Sequence, residues 1–433
     1  MPPTRSAALS RRHFLGLGTA AAAGAALAAC GGPAPNSSGG GGGGGGTLRM
    51  ITPIFDRSDG QKLLESLIAD FRKTNPGVTV QPDYTSYSKL NEKLTTSIVG
   101  GMPYDVMLIG VGWIPPFAKK GVLADLETSA AELGKVYNSR VVEAGVYDGR
   151  TYARPVVLDT RLGIYRKDIL AAAGITAPPK DLTELKHMAK ELTVRKGGTL
   201  QRAGVDILSN DIRQTFLPLM WAFGADLFKD GKPAFDSPEA IDALQWMVDV
   251  VRNDRIEDYG FSSTSAVAAP LTQGRAAMAV GHNDLWRQME AAAPDLIKED
   301  KVAGFTLNQA RPAMFQGGTL ATVAARSSHR EEAKKLVEFL SSAQVSPQAA
   351  QQRGNLPAVN SAADSAYVKD DKLVGFAMQN LDHAFSEGGV PSWLEIRDEF
   401  KPALESALLG RTTPAKALQG LAEKARAIMA KDA

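Results

Sequence analysis

Cysteine is nearly absent from this chain: Cys30 stands alone among 433 residues. An internal disulfide is therefore excluded, and so is a zinc site built on cysteines. Histidine is scarce as well. His13, His187, His282, His329 and His383 show no HExxH-type spacing, so the familiar metal-site patterns are missing. Neither sign of charge is in excess. The 49 Lys and Arg face 47 Asp and Glu, which leaves no basic surplus for nucleic acid and no charged run to serve as an interaction tail. There is no GxSxG elbow, no Ser/His/Asp ordering and no phosphate loop. No metal or other cofactor is expected. What remains is an ordinary globular composition, 44% hydrophobic and 22% charged, in a chain long enough for two or three domains.

The one long apolar run, Phe14 to Ala29, is rich in alanine and glycine and shorter than the roughly 20 residues that span a bilayer. It follows Ser10-Arg11-Arg12-His13, and a basic start before a short apolar region reads as an export signal over residues 1–29. The arginine pair resembles a twin-arginine export motif, with Gly16 in place of the usual lysine, so the general secretory route stays open. The run ends in Leu27-Ala28-Ala29-Cys30, which resembles a bacterial lipobox, and the Cys30 thiol is the atom that would take the lipid. Removing residues 1–29 takes Arg5, Arg11 and Arg12 and no acid from a chain of formal charge +2, leaving it close to neutral. Residues 30–46 then form a Gly/Ser/Pro linker ending in an unbroken run of glycines from Gly39. Such a segment buries nothing and reaches very roughly 20 Å. The expected layout is a folded body tethered by lipid to the outer face of a bacterial cytoplasmic membrane.

From Thr47 the pattern alternates. A strand at Leu48–Ile51 precedes a helix with Leu63, Leu64, Leu67, Ile68 and Phe71 on one face, stopped by Asn75-Pro76-Gly77. Val78–Val80 is the next strand, and a helix carrying Leu90, Leu94 and Ile98 leads to the apolar strand Asp105–Ile109. Ile114 to Lys120 begins another helix, Asp148-Gly149 marks a turn, and Thr151–Leu158 is extended. Further helices are expected over 181–195, 238–252 and 328–342, the last with a Ser328/Glu331 capping box. The final ninety or so residues read as mainly helical. A β-α-β-α-β order predicts an α/β fold with a mostly parallel sheet covered on both faces.

Seven stretches carry a family resemblance. They are Phe71 to Val80; Tyr104-Asp105-Val106 with Gly121 to Leu126; Tyr152 to Pro155 with Asp159-Thr160 and Tyr165 to Asp168; Gly174-Ile175 with Pro178-Pro179 and Leu182 to Leu185; Gln273 to Met278; Gly317-Gly318; and the helix at 328–342. In this order they resemble the carbohydrate-type extracellular solute-binding proteins of bacterial ABC importers, the class that includes maltose-binding protein. The resemblance implies a two-lobe, periplasmic-binding-protein-like fold of type II, with strands crossing between lobes and a ligand cleft at the hinge. It implies one lobe of 47–157 and 318–340 and another of 158–317 and 341–433. Expected partners are a carbohydrate, the membrane subunits of an ABC permease and the membrane itself through the lipid. A monomer is expected.

Sugars present apolar C–H faces and many hydroxyls, so their sites combine aromatic platforms with Asp, Asn and Arg. Trp113 follows a strand's carboxyl end across Gly110-Val111-Gly112; Trp286 follows the polar turn Gly281-His282-Asn283-Asp284; and Trp393 and Arg397 share a helix face. Asn283 and Asp284, with Asp211 and Arg213 from the loop Ser209–Arg213, are further contact candidates. Asp159 ends the first crossover strand, while Phe315 and Gly317-Gly318 mark the return, where glycine lets backbone approach a ligand. Trp221, within the apolar stretch Phe216–Gly224, fits a core role nearly as well as a contact one, and Trp246 reads as a packing residue. With Arg213 and Arg397 the only cations near these aromatics, a strongly anionic ligand is disfavoured. The competing readings are a secreted carbohydrate-active hydrolase, which needs two carboxyl groups roughly 5–10 Å apart, and an envelope sugar sensor on the same fold.

Overall fold

The computed structural model describes residues 46–262 and 268–431. The export signal 1–29, the lipidation site Cys30 and the linker up to Gly45 lie outside the described residues.

Folding begins with strand β1 (Thr47–Thr52), helix α1 (Ser58–Thr74), β2 (Thr79–Tyr84), α2 (Tyr87–Val99), β3 (Val106–Gly110) and α3 (Ile114–Lys119). The apolar stripe of α1 buries Leu64, Leu67 and Phe71 against the sheet, with Leu63 and Ile68 at its margin. The helix stops at Asn75, whose side-chain amide donates to the Phe71 carbonyl at 3.1 Å. Both β2 and β3 pair in parallel with β1, so the loops after their carboxyl ends gather on one side. At the turn Asp148-Gly149, φ is 49° and 69°, the doubly left-handed geometry that joins the hairpin Val146–Tyr147/Arg150–Thr151.

The second half holds β4 (Ala153–Arg166), β5 (Thr199–Asp206), α4 (Ile212–Ala222), β6 (Ala276–His282), β7 (Pro312–Val323), α5 (Arg330–Leu340), α6 (Ser346–Arg353) and α7 (Trp393–Leu408). The main path of the sheet runs β2-β1-β3-β7-β4-β6-β5. Two long strands serve both halves. β4 outruns its expected end at Leu158 because its first part pairs with β7 while its second part pairs with β6 and Val302–Phe305. β7 in turn joins β4 to β3. Where they cross, Gly318 has φ 134°, and a Cβ there would lie 2.8 Å from the Leu158 Cα, so only glycine fits. One core gathers Leu48, Leu64, Phe71, Val106 and Leu336. The larger one gathers α4 and α7 around Phe216, Trp393 and Phe400. Cores on both halves, served by strands that pass between them, make the α/β two-lobe fold.

The sheet is mixed rather than mostly parallel, because β7 runs antiparallel to both β3 and β4, and β4 antiparallel to β6; three further details differ from the sequence expectation. α5 starts at Arg330 with no side-chain cap, because Ser327 rather than Ser328 turns inward, accepting from the His329 N–H at 3.1 Å and donating to Asp105 at 2.6 Å. α6 buries Ala349 and Ala350 in the first core, so residues just after 341 pack with the N-terminal half. The last ninety residues also hold two short strands, Leu356–Pro357 and Ala384–Ser386, laid on β4 and β7.

One buried carboxyl titrates far from its usual range. Asp371 caps the helix Lys372–Gln379, accepting from the Leu373 and Val374 N–H groups at 3.1 and 2.9 Å. Burial, abetted by Glu290 and Asp284, pushes it up to about 7. Unfolded, the same carboxyl titrates near 4. Between those values the native state binds the extra proton, so stability falls as pH rises from about 4 to about 7 and then levels. Asp371→Asn keeps the cap and deletes the titration. The variant is expected to be about 1–3 kcal/mol more stable than the parent at pH 8 and little changed at pH 4. Urea midpoints across that range check this; parallel curves for the two proteins contradict it.

Candidate functional site

The loops after β3, β5 and β6 open with the β4/β7 crossing onto one cavity of about 710 Å³. Each wall has a local cause. After β5, Asp206 accepts from the N–H groups of Leu208 and Ser209 at 3.2 and 3.0 Å and from the Ser209 hydroxyl, tightening the turn. Beneath it the buried Glu257 accepts from the Ile207 N–H at 2.8 Å; burial pushes both carboxyls up, Glu257 the further. The Asn210 amide ties the loop to the Val280 carbonyl at 2.8 Å. Asp211 then caps α4, which leaves Arg213 in the first helical turn. A cation is disfavoured at that end of a helix, and a buried acid answers it. Glu387, from the loop before α7, forms an ion pair with Arg213, and both side chains are buried. Burial pushes the Arg213 guanidinium down to about 10.

On β4, Asp159 and Arg161 lie two residues apart and share a face. They pair with each other, and Arg161 also donates to the Gln214 side chain. His282 sits 3.7 Å from Asp159 and 2.9 Å from Asp284, joining three elements in a chain of polar contacts. Burial works against ionised Asp284, but the His282 and Arg161 charges and the His282 and Gln288 hydrogen bonds outweigh it and hold the carboxyl low. Aromatic faces in the cavity are already occupied. Trp113 stacks on Phe117 with centroids 6.0 Å apart, and the Arg397 guanidinium stands 5.7 Å from its ring. Phe315 is covered by Trp221 at 6.2 Å and by Arg161 at 5.2 Å. The exposed ring in the cavity is Tyr87 at the start of α2, its hydroxyl joined to that of Thr319. Among the described residues no group of three or more His, Cys, Asp or Glu is placed to hold a metal ion.

A family model for bacterial extracellular solute-binding proteins matches residues 56–347. The chain belongs to that family. A binding protein of Brucella abortus is 28% identical over 372 residues, covering 83% of this chain and 88% of its own. The diacetylchitobiose binding protein of Streptomyces coelicolor is 24% identical over 357 residues, covering 81% and 82%. Among solved structures, the sugar-binding protein MalE of Xanthomonas citri superposes with a TM-score of 0.77 at 24% identity, covering 89% of this chain and 98% of that one. At this identity the superposition speaks for the fold.

In this solute-binding protein the cavity brings together Trp113, Asp159, Asp211, Arg213, Asp284, Gly317, Gly318 and Arg397 from the sequence candidates. Three others are placed elsewhere. Trp286 is buried among Leu271, Met289 and Met314 and offers no face to the cavity. Trp393 is buried edge-on to Phe228 and Phe400, at 6.1 and 5.8 Å, under the backbone of Gly112. Asn283 is a structural pin: it accepts from the Thr160 N–H at 2.8 Å and donates to the Gly354 carbonyl at 2.6 Å. The polar turn after β6 does reach the cavity, through His282 and Asp284.

The cationic wall is richer than the sequence implied. Arg57, Arg161, Arg353 and Lys401 join Arg213 and Arg397, so no shortage of cations disfavours an anionic ligand. Arg161 could have been found from its two-residue spacing to Asp159. Glu387, Arg57 and Arg353 carry no local signal, since distant packing alone brings them here.

Proposed function

We propose that this protein captures a sugar or oligosaccharide in the cavity and delivers it to an ABC importer, held outside the membrane by a lipid on Cys30. The observation that carries the reading is the cavity's mixed wall: carboxylates that accept, guanidiniums that donate, and an exposed Tyr87 ring, all on loops at the crossing of two shared strands. Vicinal hydroxyls match such a wall, each accepting from an arginine while donating to an aspartate. The Nε–H of Arg161 is buried without a partner among the described residues, a donor suited to a ligand oxygen. The Streptomyces coelicolor relative's diacetylchitobiose and the Xanthomonas citri protein's sugar point to the same ligand class.

The proposed lobes are 47–157 with 318–353, and 158–317 with 354–433, the expected boundary at 340 being moved so that α6 stays with the core it packs in. Ligand touches both walls only when the cleft shuts, so it favours the closed form, and rotation concentrates near 157–160 and 315–318. Calorimetry against a panel of mono- and oligosaccharides, with small-angle scattering on any hit, tests the reading. The expected result is saturable heat with a smaller radius of gyration and sugar recovered unchanged. A panel without heat, or binding without compaction, removes the proposal, and released product replaces it with a hydrolase.

A further inference from the structure

β1, β2 and β3 point their carboxyl ends at the cavity, so their amino ends define an opposite pole of the N-terminal half. The chain enters the described fold at that pole. The Gly46 carbonyl accepts from the Thr79 N–H at 2.9 Å; Arg49 donates its N–H to Asp105 at 2.8 Å and lays its guanidinium 4.9 Å from the Tyr104 ring centroid. Asp105 also accepts from the Ala324 N–H at 2.9 Å, which draws in the segment after β7.

Three of the seven exposed large hydrophobics among the described residues cluster here: Val99 is 83% exposed, Met102 65% and Ile98 39%. Beside them a cavity of about 310 Å³ is lined by Ile98, Tyr104, Met107 and Val122, with Lys120 and Arg326 also in its wall. Among the described residues the side chains of Lys120 and Arg326, and of neighbouring Lys119, are in no ion pair or hydrogen bond.

Exposed apolar tips beside unpaired cations match one surface well, the boundary between acyl chains and anionic headgroups. We infer that this pole rests on the anionic phospholipid bilayer, Val99 and Met102 dipping into the interface while Lys119, Lys120 and Arg326 meet phosphates. The inference builds on the proposed lipid on Cys30. A linker from Gly31 to Gly46, with a reach of very roughly 20 Å, would then deliver the pole that Gly46 and Thr47 belong to. The cavity that takes the ligand lies at the other end of the same strands, so a resting protein keeps its cleft away from the lipid and must leave this contact to dock on a permease.

The test uses the full chain with Cys30→Ser, so that no acyl chain contributes and any effect of the apolar run 14–29 is common to all variants. Flotation with vesicles of phosphatidylcholine containing phosphatidylglycerol is compared with pure phosphatidylcholine. Binding is expected to need phosphatidylglycerol, to weaken with salt, and to slow hydrogen exchange over 97–104 and 119–122. Lys120→Glu with Arg326→Glu should cut partitioning about tenfold or more, and Val99→Asp with Met102→Asp should do likewise. Sugar binding by these variants should equal that of the parent, showing that they fold. Equal binding to both vesicle types, or variants that float as the parent does, overturns the inference. If the pole binds as expected while the unsubstituted chain shows no lipid on Cys30, the surface stands and the anchoring proposal falls.

Discussion

Arg213→Ala is expected to destabilise the protein by about 3–5 kcal/mol, the usual consequence of stranding one member of a buried ion pair. The substitution leaves the Glu387 carboxylate buried with its charge uncompensated, in a loop whose neighbours cannot rearrange. Gly388, with φ 108°, is packed so closely on Gly112 that a Cβ would come within 2.6 Å of the Gly112 Cα. The loop before α7 and the loop after β3 therefore lean on one another, and strain at Glu387 is passed to the Trp113 wall. Replacing both partners by apolar residues, Arg213→Met with Glu387→Leu, removes the buried charge and should recover most of the loss. Urea unfolding of the single and double variants reads this directly. A single variant within 1 kcal/mol of the parent would show that water reaches the pair and that the site is more open than described. Sugar binding, in contrast, should stay poor in the double variant, because the guanidinium that faces the cavity is gone.

Trp393→Ala should cost a similar amount, about 3–5 kcal/mol, and should do so without any ligand present. Its indole is buried against Phe228 and Phe400 and underlies the Gly112 backbone, so truncation opens a void beneath the loop that carries Trp113. Trp113→Ala is the informative partner. That ring is 4% exposed, yet it lines the cavity and supports Arg397 at 5.7 Å. Its removal frees the guanidinium and should weaken sugar binding by at least tenfold while costing less stability than Trp393→Ala. Denaturation and calorimetry on the two variants separate a tryptophan that only packs the core from one that also holds a cavity guanidinium in place. A Trp393→Ala protein that unfolds like the parent but no longer binds sugar would reverse the assignment.

Much of this was legible in the residues. The first three strands and helices followed from apolar spacing and from breakers such as Asn75-Pro76-Gly77, because a helix stripe and a strand alternation are local properties. The two crossings also left a mark. Asp159 and Gly317-Gly318 stood where β4 and β7 pass through both halves, and Gly318 is irreplaceable there on steric grounds. Where spacing misled, the reason was equally physical. Ser328/Glu331 has the form of a capping box, yet Ser327 was drawn inward by Asp105, a partner far away in the chain.

The sequence by itself determined the order of the first elements, the family to which the chain belongs and several of the loop stretches from which the cavity is built. Tertiary structure alone decided which side chains of those loops line the cavity. A tryptophan after a strand can turn into its own core or out over the cleft, and the choice depends on the volume left by distant neighbours. Trp286 found Leu271, Met289 and Met314; Trp393 found Phe228 and Phe400; Trp113 remained at the wall. The same holds for charge. Arg213 and Glu387 belong to segments far apart in the chain, and only folding brings them into the low-dielectric contact that gives the pair its strength.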